Sequence, residues 1–526
     1  MKVMRKTLAG ALLSATIAFS VAAALKENRV PRTRRISLQE LEDKIRGGWA
    51  GQMIGVSFGA PTEFKSNGRI IEGPLPPWTR ESVKNSIHQD DLYVDMTLSE
   101  TMDRIGLDAT TEQYGQAFKD SKYSLWHANA GARRLLNRGV KAPDSGHPRY
   151  NIHADDIDFQ IESDFIGLMT PGLPQESNRY CDRVGRVMNF GDGLYGGMFV
   201  CGMYSAAFFE KDLRKVVEQG LACMPSQSGY ARVIRDVLDW RAKYPDDWKK
   251  TWQAVEEKWD RDDPCTDGAL RPFNIDAKLN GAYIAIGLLY GQGDFTKTLE
   301  VTTRCGQDSD CNPSNAAGVL GVILGYSQIP EQWKSGILDI ADVKFDYTSS
   351  SFNEITKSTL SRALQVIRKA GGSVAAGGVQ IPYQAPKAPR LEQWSMGKPD
   401  KLVSAREEGW KWDENWREET GGRDKQTFVG FSASGPGSET TLSFSGTGVA
   451  VVGRMTQQGG RADVVLDGSR AGQIDAYIVE RTNDNDLWHT FGLKPGNHTL
   501  LIVTLDEADL RSKGKKITIE RAIVYR

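Results

Sequence analysis

From about Ser37 to Ala370, apolar residues recur at three- and four-residue spacing, as in Glu112–Asp120, Leu213–Gly220, Tyr230–Lys243 and Phe352–Lys369. That period predicts amphipathic helices, and strand-like alternation is scarce over this stretch. We expect an all-α domain over residues 36–370. Residues 371–400 change character. Gly371-Gly372, Gly377-Gly378, Pro382, Pro386 and Pro389 oppose helix continuation, so the stretch reads as a linker. From Lys401 to Arg526 the period becomes two: Leu442/Phe444, Val449/Val451, Ala462/Val464/Leu466, Leu500/Ile502 and Ile517/Ile519. Turn signals at Gly446-Thr447-Gly448, Asp467-Gly468 and Pro495-Gly496-Asn497 separate these runs. Short strands at that spacing predict an antiparallel β-sandwich of jelly-roll type over 401–526.

The N-terminus departs from both patterns. Lys2, Arg5 and Lys6 precede an apolar stretch from Leu8 to Ala24 that ends in three alanines. This is the layout of a secretory signal peptide over residues 1–24, and it implies a secreted or periplasmic protein. No other segment is long and apolar enough to span a membrane, so none is expected in the mature chain. The 526 residues carry 66 Lys+Arg and 67 Asp+Glu, a formal net charge of −1. A nucleic-acid partner is not supported, since such a domain usually shows a basic excess. Export permits disulfides among Cys181, Cys201, Cys223, Cys265, Cys305 and Cys311, but their spacing does not give a pairing.

Three segments carry the candidate chemistry. Gly47, Gly51, Gly55 and Gly59 fall on one face of the first helix, a stripe suited to close backbone packing. Pro61 should end that helix near Ala60 and leave Glu63 just beyond its C-terminus, against the dipole. Asp90 and Asp91 fall in the first turn of a second helix, where acids also serve simply to complement a dipole. Asp308 and Asp310 follow Gly306 on a loop before a small-residue helix expected over Ala316–Gly325. The Asp-x-Asp-x-Asn run is not a calcium loop, because Pro313 and Val319 stand where Gly and Glu belong. Four Asp from two distant segments suit one or two hard divalent cations, unless each pair only caps its own helix. Four of the six His, at 88, 127, 147 and 153, lie near the Asp90 region in sequence and suggest a cleft lining.

In this order the motifs over residues 38–330 resemble the ADP-ribosylglycohydrolase family. The resemblance rests on the glycine-striped helix running into Gly59-Ala60-Pro61-Thr62-Glu63-Phe64, on Asp90-Asp91, and on Gly306-Gln307-Asp308-Ser309-Asp310. It implies an orthogonal all-α bundle, a site for two Mg²⁺ ions (or Mn²⁺), and hydrolysis of a glycosidic bond at a ribose anomeric carbon. It implies Asp90, Asp91, Asp308 and Asp310 as metal ligands with Gln89 beside them, and Glu63 as the acidic residue at the scissile bond. Substrate contacts are expected from His127, Asn129, Asp164 and Gly306. Gln89 and Cys311 stand where the family usually has Thr. Residues 167–172 and 189–193 depart from its Met-Arg and Thr-His segments, which weakens the case for a diphosphate ligand. The C-terminal part resembles galactose-binding-like carbohydrate modules. The expected function is thus an exported metal-dependent glycosidase acting on an ADP-ribosyl or other ribosyl or furanosyl bond. The alternative is a non-catalytic glycan- or ligand-binding protein on a degenerate copy of that fold.

Overall fold

The computed structural model describes residues 33–260, 263–421, 428–479 and 486–526. The expected signal peptide lies outside the described residues. Seven helices matter most: α1 (Leu38–Gly59), α2 (Asp90–Ile105), α3 (His127–Asn137), α4 (Gly191–Ala207), α5 (Ala277–Gly291), α6 (Cys311–Leu324) and α7 (Phe352–Lys369). Ser37 caps α1 by accepting the Glu40 N–H, and Ser351 and Glu354 form a reciprocal capping box on α7. Helices α4, α5 and α6 are buried almost all round and form the centre of the helical core.

The glycine stripe does what its spacing suggests. A Cβ on Gly47, Gly51, Gly55 or Gly59 would lie 2.2, 2.1, 2.3 or 2.0 Å from the carbonyl oxygens of Gly321, Ala317, Pro313 and Ser309. Helix α1 therefore runs antiparallel against α6, backbone to backbone, in four-residue register. Buried Lys44 closes the far end, donating to the Val322 and Ile323 carbonyls at 3.0 and 3.2 Å. A cation there complements the C-terminal end of the α6 dipole. Helix α6 begins at Cys311, five residues earlier than expected. Pro313 does not delay it, because a first-turn N–H has no intrahelical partner to lose.

The stretch read as a linker contains structure. Strands β2 (Ser373–Ala375) and β3 (Gly378–Pro382) form a hairpin, and β3 also pairs with β1 (Thr33–Ile36). Val379 and Ile381 alternate inward as in any half-buried strand, a signal hidden in sequence by the flanking Gly and Pro. The remainder of the stretch holds no helix or strand until β4 begins at Pro399.

The C-terminal part is an antiparallel sandwich. One sheet has the order β11 (Ser469–Asp475), β10 (Arg461–Leu466), β13 (Gly496–Thr504), β8 (Glu439–Gly446), β5 (Trp410–Trp412). The other has the order β12 (Asp486–Thr490), β9 (Gly448–Arg454), β14 (Ile517–Tyr525), β7 (Phe428–Ala433), β6 (Arg417–Gly421), with β4 (Pro399–Ser404) also on β14. Asp467 and Gly468, both at positive φ, make the tight β10–β11 turn. Leu442, Val451, Val464, Ile502 and Ile519 fill the space between the sheets. A separate apolar cluster joins the two halves of the chain. Ile152 and Ala269 of the helical part pack with Met396, Ala450, Val452, Ile523 and Tyr525.

Candidate active site

Helix α1 delivers Glu63 and helix α6 delivers Asp308 and Asp310, because the glycine register fixes their ends side by side. The two loops then bond to each other. The Phe64 N–H donates to Gln307 O at 3.0 Å, and the Gln307 N–H donates to Ser66 O at 3.1 Å. Gly306 permits this approach: its φ is +82°, and a Cβ would lie 2.2 Å from Ser66 O. Gln307, also at positive φ, reaches on through its side chain to Pro272 O and the Asn274 N–H. The Thr62 and Ser309 hydroxyls meet at 2.8 Å.

These loops and the start of α2 border a cavity of about 750 Å³. Its lining includes Glu63, Gln89, Asp90, His127, Asn129, Glu162, Asp267, Asp308 and Cys311. Asp91 and Asp310 lie directly behind this surface, with 0% and 2% of their area exposed. Neither carboxylate oxygen of Asp91, nor Oδ1 of Asp308, finds a hydrogen-bond partner of standard geometry among the described residues.

The electrostatics follow from crowding. Burial, then Asp90 and Asp310, hold the Asp91 pKa well above the carboxylate range, and the nearby Cys311 and Ser314 relieve it only in part. Burial, then Asp310 and Glu63, do the same to Asp308. Asp90 is pushed up to about 6 by burial and Asp310. Glu63 stays open to the cavity, yet partial desolvation and then Asp310 and Asp90 raise its pKa too. Buried anions without counter-charges are costly, so this arrangement asks for cations. Oxygen-only donors fit hard divalent ions. Asp308, Asp310 and Cys311 each offer a ligand atom within 4.8 Å of the others. The Cys311 thiol is the misfit: burial raises its pKa, so it stays protonated beside the Asp310 carboxylate.

The expected substrate contacts divide. His127 and Asn129 line the cavity at the start of α3. His127 has a φ of +45°, and Asp158 pins the turn by accepting the Ala128 and Asn129 N–H groups at 3.1 and 3.0 Å. Asp164 does not face the cavity. It is buried between α4 and α6, accepting from the Tyr204 hydroxyl and from Asn315 Nδ2. Gly306 contributes backbone geometry and no lining. The His group disperses as well. His88 and His127 reach the cavity, His153 is buried against Asp156 at 2.7 Å, and His147 packs on Phe190 and Trp394. Residues 167–172 and 189–193 lie off the cavity, where Asn189 staples the Ala154 and Asp156 carbonyls. All six cysteines are buried free thiols.

Glu162, Asp158, Asp267 and Phe273 also line the cavity, and sequence reasoning missed them. Glu162 and Asp158 alternate with apolar residues in Ile157–Ile166 and read as ordinary helix polarity. Only the neighbouring carboxylates Asp155 and Asp156 hinted at this crowding.

A glycine-seated helix pair thus brings clustered carboxylates from the ends of both helices to one cavity, a donor set that suits hard cations. The model of one family, ADP-ribosylglycohydrolase, matches residues 37–367. The chain belongs to that family. Among solved structures, an ADP-ribosylglycohydrolase-related protein complex is 16% identical, with a TM-score of 0.39, covering 62% of this chain and 98% of its own. The CBM36-1 domain of a multidomain xylanase from the hindgut metagenome of Trinervitermes trinervoides is 15% identical, with a TM-score of 0.16, covering 23% of this chain and 94% of its own. A family 35 carbohydrate binding module from an environmental isolate is 18% identical, with a TM-score of 0.17, covering 23% and 90%. No curated protein matches the chain. Among the described residues no helix is long and apolar enough to cross a membrane.

Proposed function

We propose that the chain is an exported, metal-dependent glycosidase that hydrolyses an ADP-ribosyl or other ribosyl or furanosyl bond. The observation that carries this reading is the set of buried oxygens, both of Asp91 and Oδ1 of Asp308, that find no hydrogen-bond partner of standard geometry among the described residues. Asp90, Asp91, Asp308 and Asp310 would hold two Mg²⁺ or Mn²⁺ ions, with Gln89 alongside. Bound there, such ions supply Lewis-acid polarisation and a more acidic water. Glu63, open to the cavity and with a raised pKa, is suited to hold or release a proton near the scissile bond. The Phe64–Gln307 bond ties the backbone beside Glu63 to the loop that carries Asp308. The helix beginning at Asp90 brings Tyr93 to the cavity wall.

The test is sugar release from a panel of ADP-ribosyl and furanosyl substrates, with and without EDTA, in wild type, Asp308→Ala and Glu63→Gln. The expected result is activity that EDTA removes and Mg²⁺ restores, and that both variants lose. Full activity in Asp308→Ala overturns the metal reading. Glycan binding without turnover and without cation binding supports the binder instead. Export is tested by N-terminal sequencing of the mature protein, which should begin after Ala24.

A further inference from the structure

Asn129 and Glu162 line the same cavity as Asp308 and stand side by side, with Asn129 Nδ2 donating to Glu162 Oε1. That bond orients both groups and leaves two acceptors over. Glu162 Oε2 and Asn129 Oδ1 are each buried, and neither has a hydrogen-bond partner among the described residues. Glu162 and Asn129 are 1% and 4% exposed, so these atoms have little access to bulk water. Both residues are held in place. Asp158 caps the first turn of α3, which carries Asn129. Glu162 ends the short helix that starts at Asp158.

Two adjacent buried acceptors call for a ligand with two adjacent donors. A vicinal diol supplies two O–H groups. A phosphate oxygen supplies an acceptor where these two atoms need a donor, and Arg271 is the basic residue of the lining that stands apart from them in the chain. Apolar surface completes the pocket. Phe64 and Phe273 meet at 4.9 Å, the His127 ring stacks on Phe273 at 5.7 Å, and Trp126, 39% exposed, stands at the opening. Flat walls with a few fixed polar atoms suit the C–H faces and hydroxyl edge of a sugar.

We infer that Glu162 and Asn129 form a hydroxyl-reading subsite that selects a neutral furanoside over a nucleoside diphosphate sugar. This rests on the glycosidase reading for the identity of the ligand as a glycoside, and its test is separable from that reading. Binding of methyl β-D-ribofuranoside, methyl α-L-arabinofuranoside and ADP-ribose is measured by calorimetry at saturating Mg²⁺. The proteins are wild type, Glu162→Gln and Glu162→Leu, with Mg²⁺ itself titrated into each. Glu162→Gln puts an amide donor where the diol needs an acceptor, and Glu162→Leu removes the acceptor altogether.

The expected result is saturable binding of at least one furanoside to wild type, weakened by about ten-fold in Glu162→Gln, the loss of one hydrogen bond. Binding should vanish in Glu162→Leu, with Mg²⁺ affinity unchanged in both variants and ADP-ribose no tighter than the furanoside. The inference is overturned if neither furanoside binds wild type, if both variants bind it equally well, or if ADP-ribose binds about ten-fold tighter. Mg²⁺ binding with Glu162-independent furanoside affinity would sink this inference and leave the glycosidase reading standing. Glu162-dependent furanoside binding without any Mg²⁺ binding would do the reverse.

Discussion

Gly59 lies so close to Ser309 that a single added methyl would stand 2.0 Å from the Ser309 carbonyl oxygen. That contact sits where α1 hands over to Glu63 and where the loop carrying Asp308 and Asp310 turns into α6. Packing and chemistry are therefore coupled through one glycine face. Gly55→Ala should cost about 1–3 kcal/mol, the usual range for overpacking, and more if the helices cannot separate. It should weaken cation binding as well, because separating α1 from α6 moves Glu63 away from Asp308. Denaturant melts together with Mg²⁺ titration check both effects. A variant with lowered stability but unchanged Mg²⁺ affinity would mean that the register does not position the site.

Asp308→Asn should separate the two consequences of crowded carboxylates. In the ion-free protein it replaces a carboxyl whose ionisation burial, Asp310, Glu63 and Asp91 all oppose. Stability without metal should then hold or rise, by up to about 1–3 kcal/mol on the scale of relieved buried polar groups. The rise in melting temperature that Mg²⁺ gives wild type should disappear, since that rise comes from binding to the folded state alone. A metal-free variant clearly less stable than wild type would show that Asp308 holds the fold rather than an ion.

The same crowding fixes a pH dependence. Asp90, Asp91, Asp308 and Glu63 all have folded-state pKa values raised above their ordinary ones. Carboxyls of that kind bind protons more tightly when folded. The stability they contribute is full below the unfolded pKa near 4 and is lost as pH rises through the folded values, about 6 for Asp90. EDTA-treated protein should therefore melt at a lower temperature at pH 8 than at pH 5. Saturating Mg²⁺ should flatten or reverse that slope. A metal-free melting temperature that rises steadily from pH 5 to pH 8 would contradict it.

The two periods, 3.6 before Ala370 and 2 after Lys401, were enough to expect a helical domain and a sandwich, since each follows from which face meets a core. Asp90, Asp91, Asp308 and Asp310 stood out in sequence as paired carboxylates that helix capping also explains, and the structure brings Asp90 and Asp308 to one cavity. Glu162 was not legible. Its significance comes from Asn129, 33 residues away, and from the cavity on its other side, and neither is a property of local sequence. Asp164 misled for the converse reason. An acid beside an active-site segment read as a ligand contact, while Tyr204 and Asn315 hold it in the core. The β2–β3 hairpin was masked by its own Gly and Pro residues, which mark turns as readily as linkers.

The sandwich should prove to brace the cavity wall and not to be a detachable appendage. Tyr525 on β14 donates its hydroxyl to Pro264 O at 2.7 Å, and Arg521 Nη2 donates to Thr266 O at 3.1 Å. Ala269 of the same loop is packed under Ile523 and Tyr525. That loop carries Asp267 and Arg271 to the cavity. Tyr525→Phe keeps the ring and removes one buried hydrogen bond, so it should cost about 1–2 kcal/mol with the Pro264 carbonyl left unsatisfied. Hydrogen exchange should accelerate at residues 265–270 while α1 and α6 keep their protection, because the lost bond is local to the loop. Exchange in 265–270 that is unchanged in Tyr525→Phe would show that the helical domain positions this loop alone.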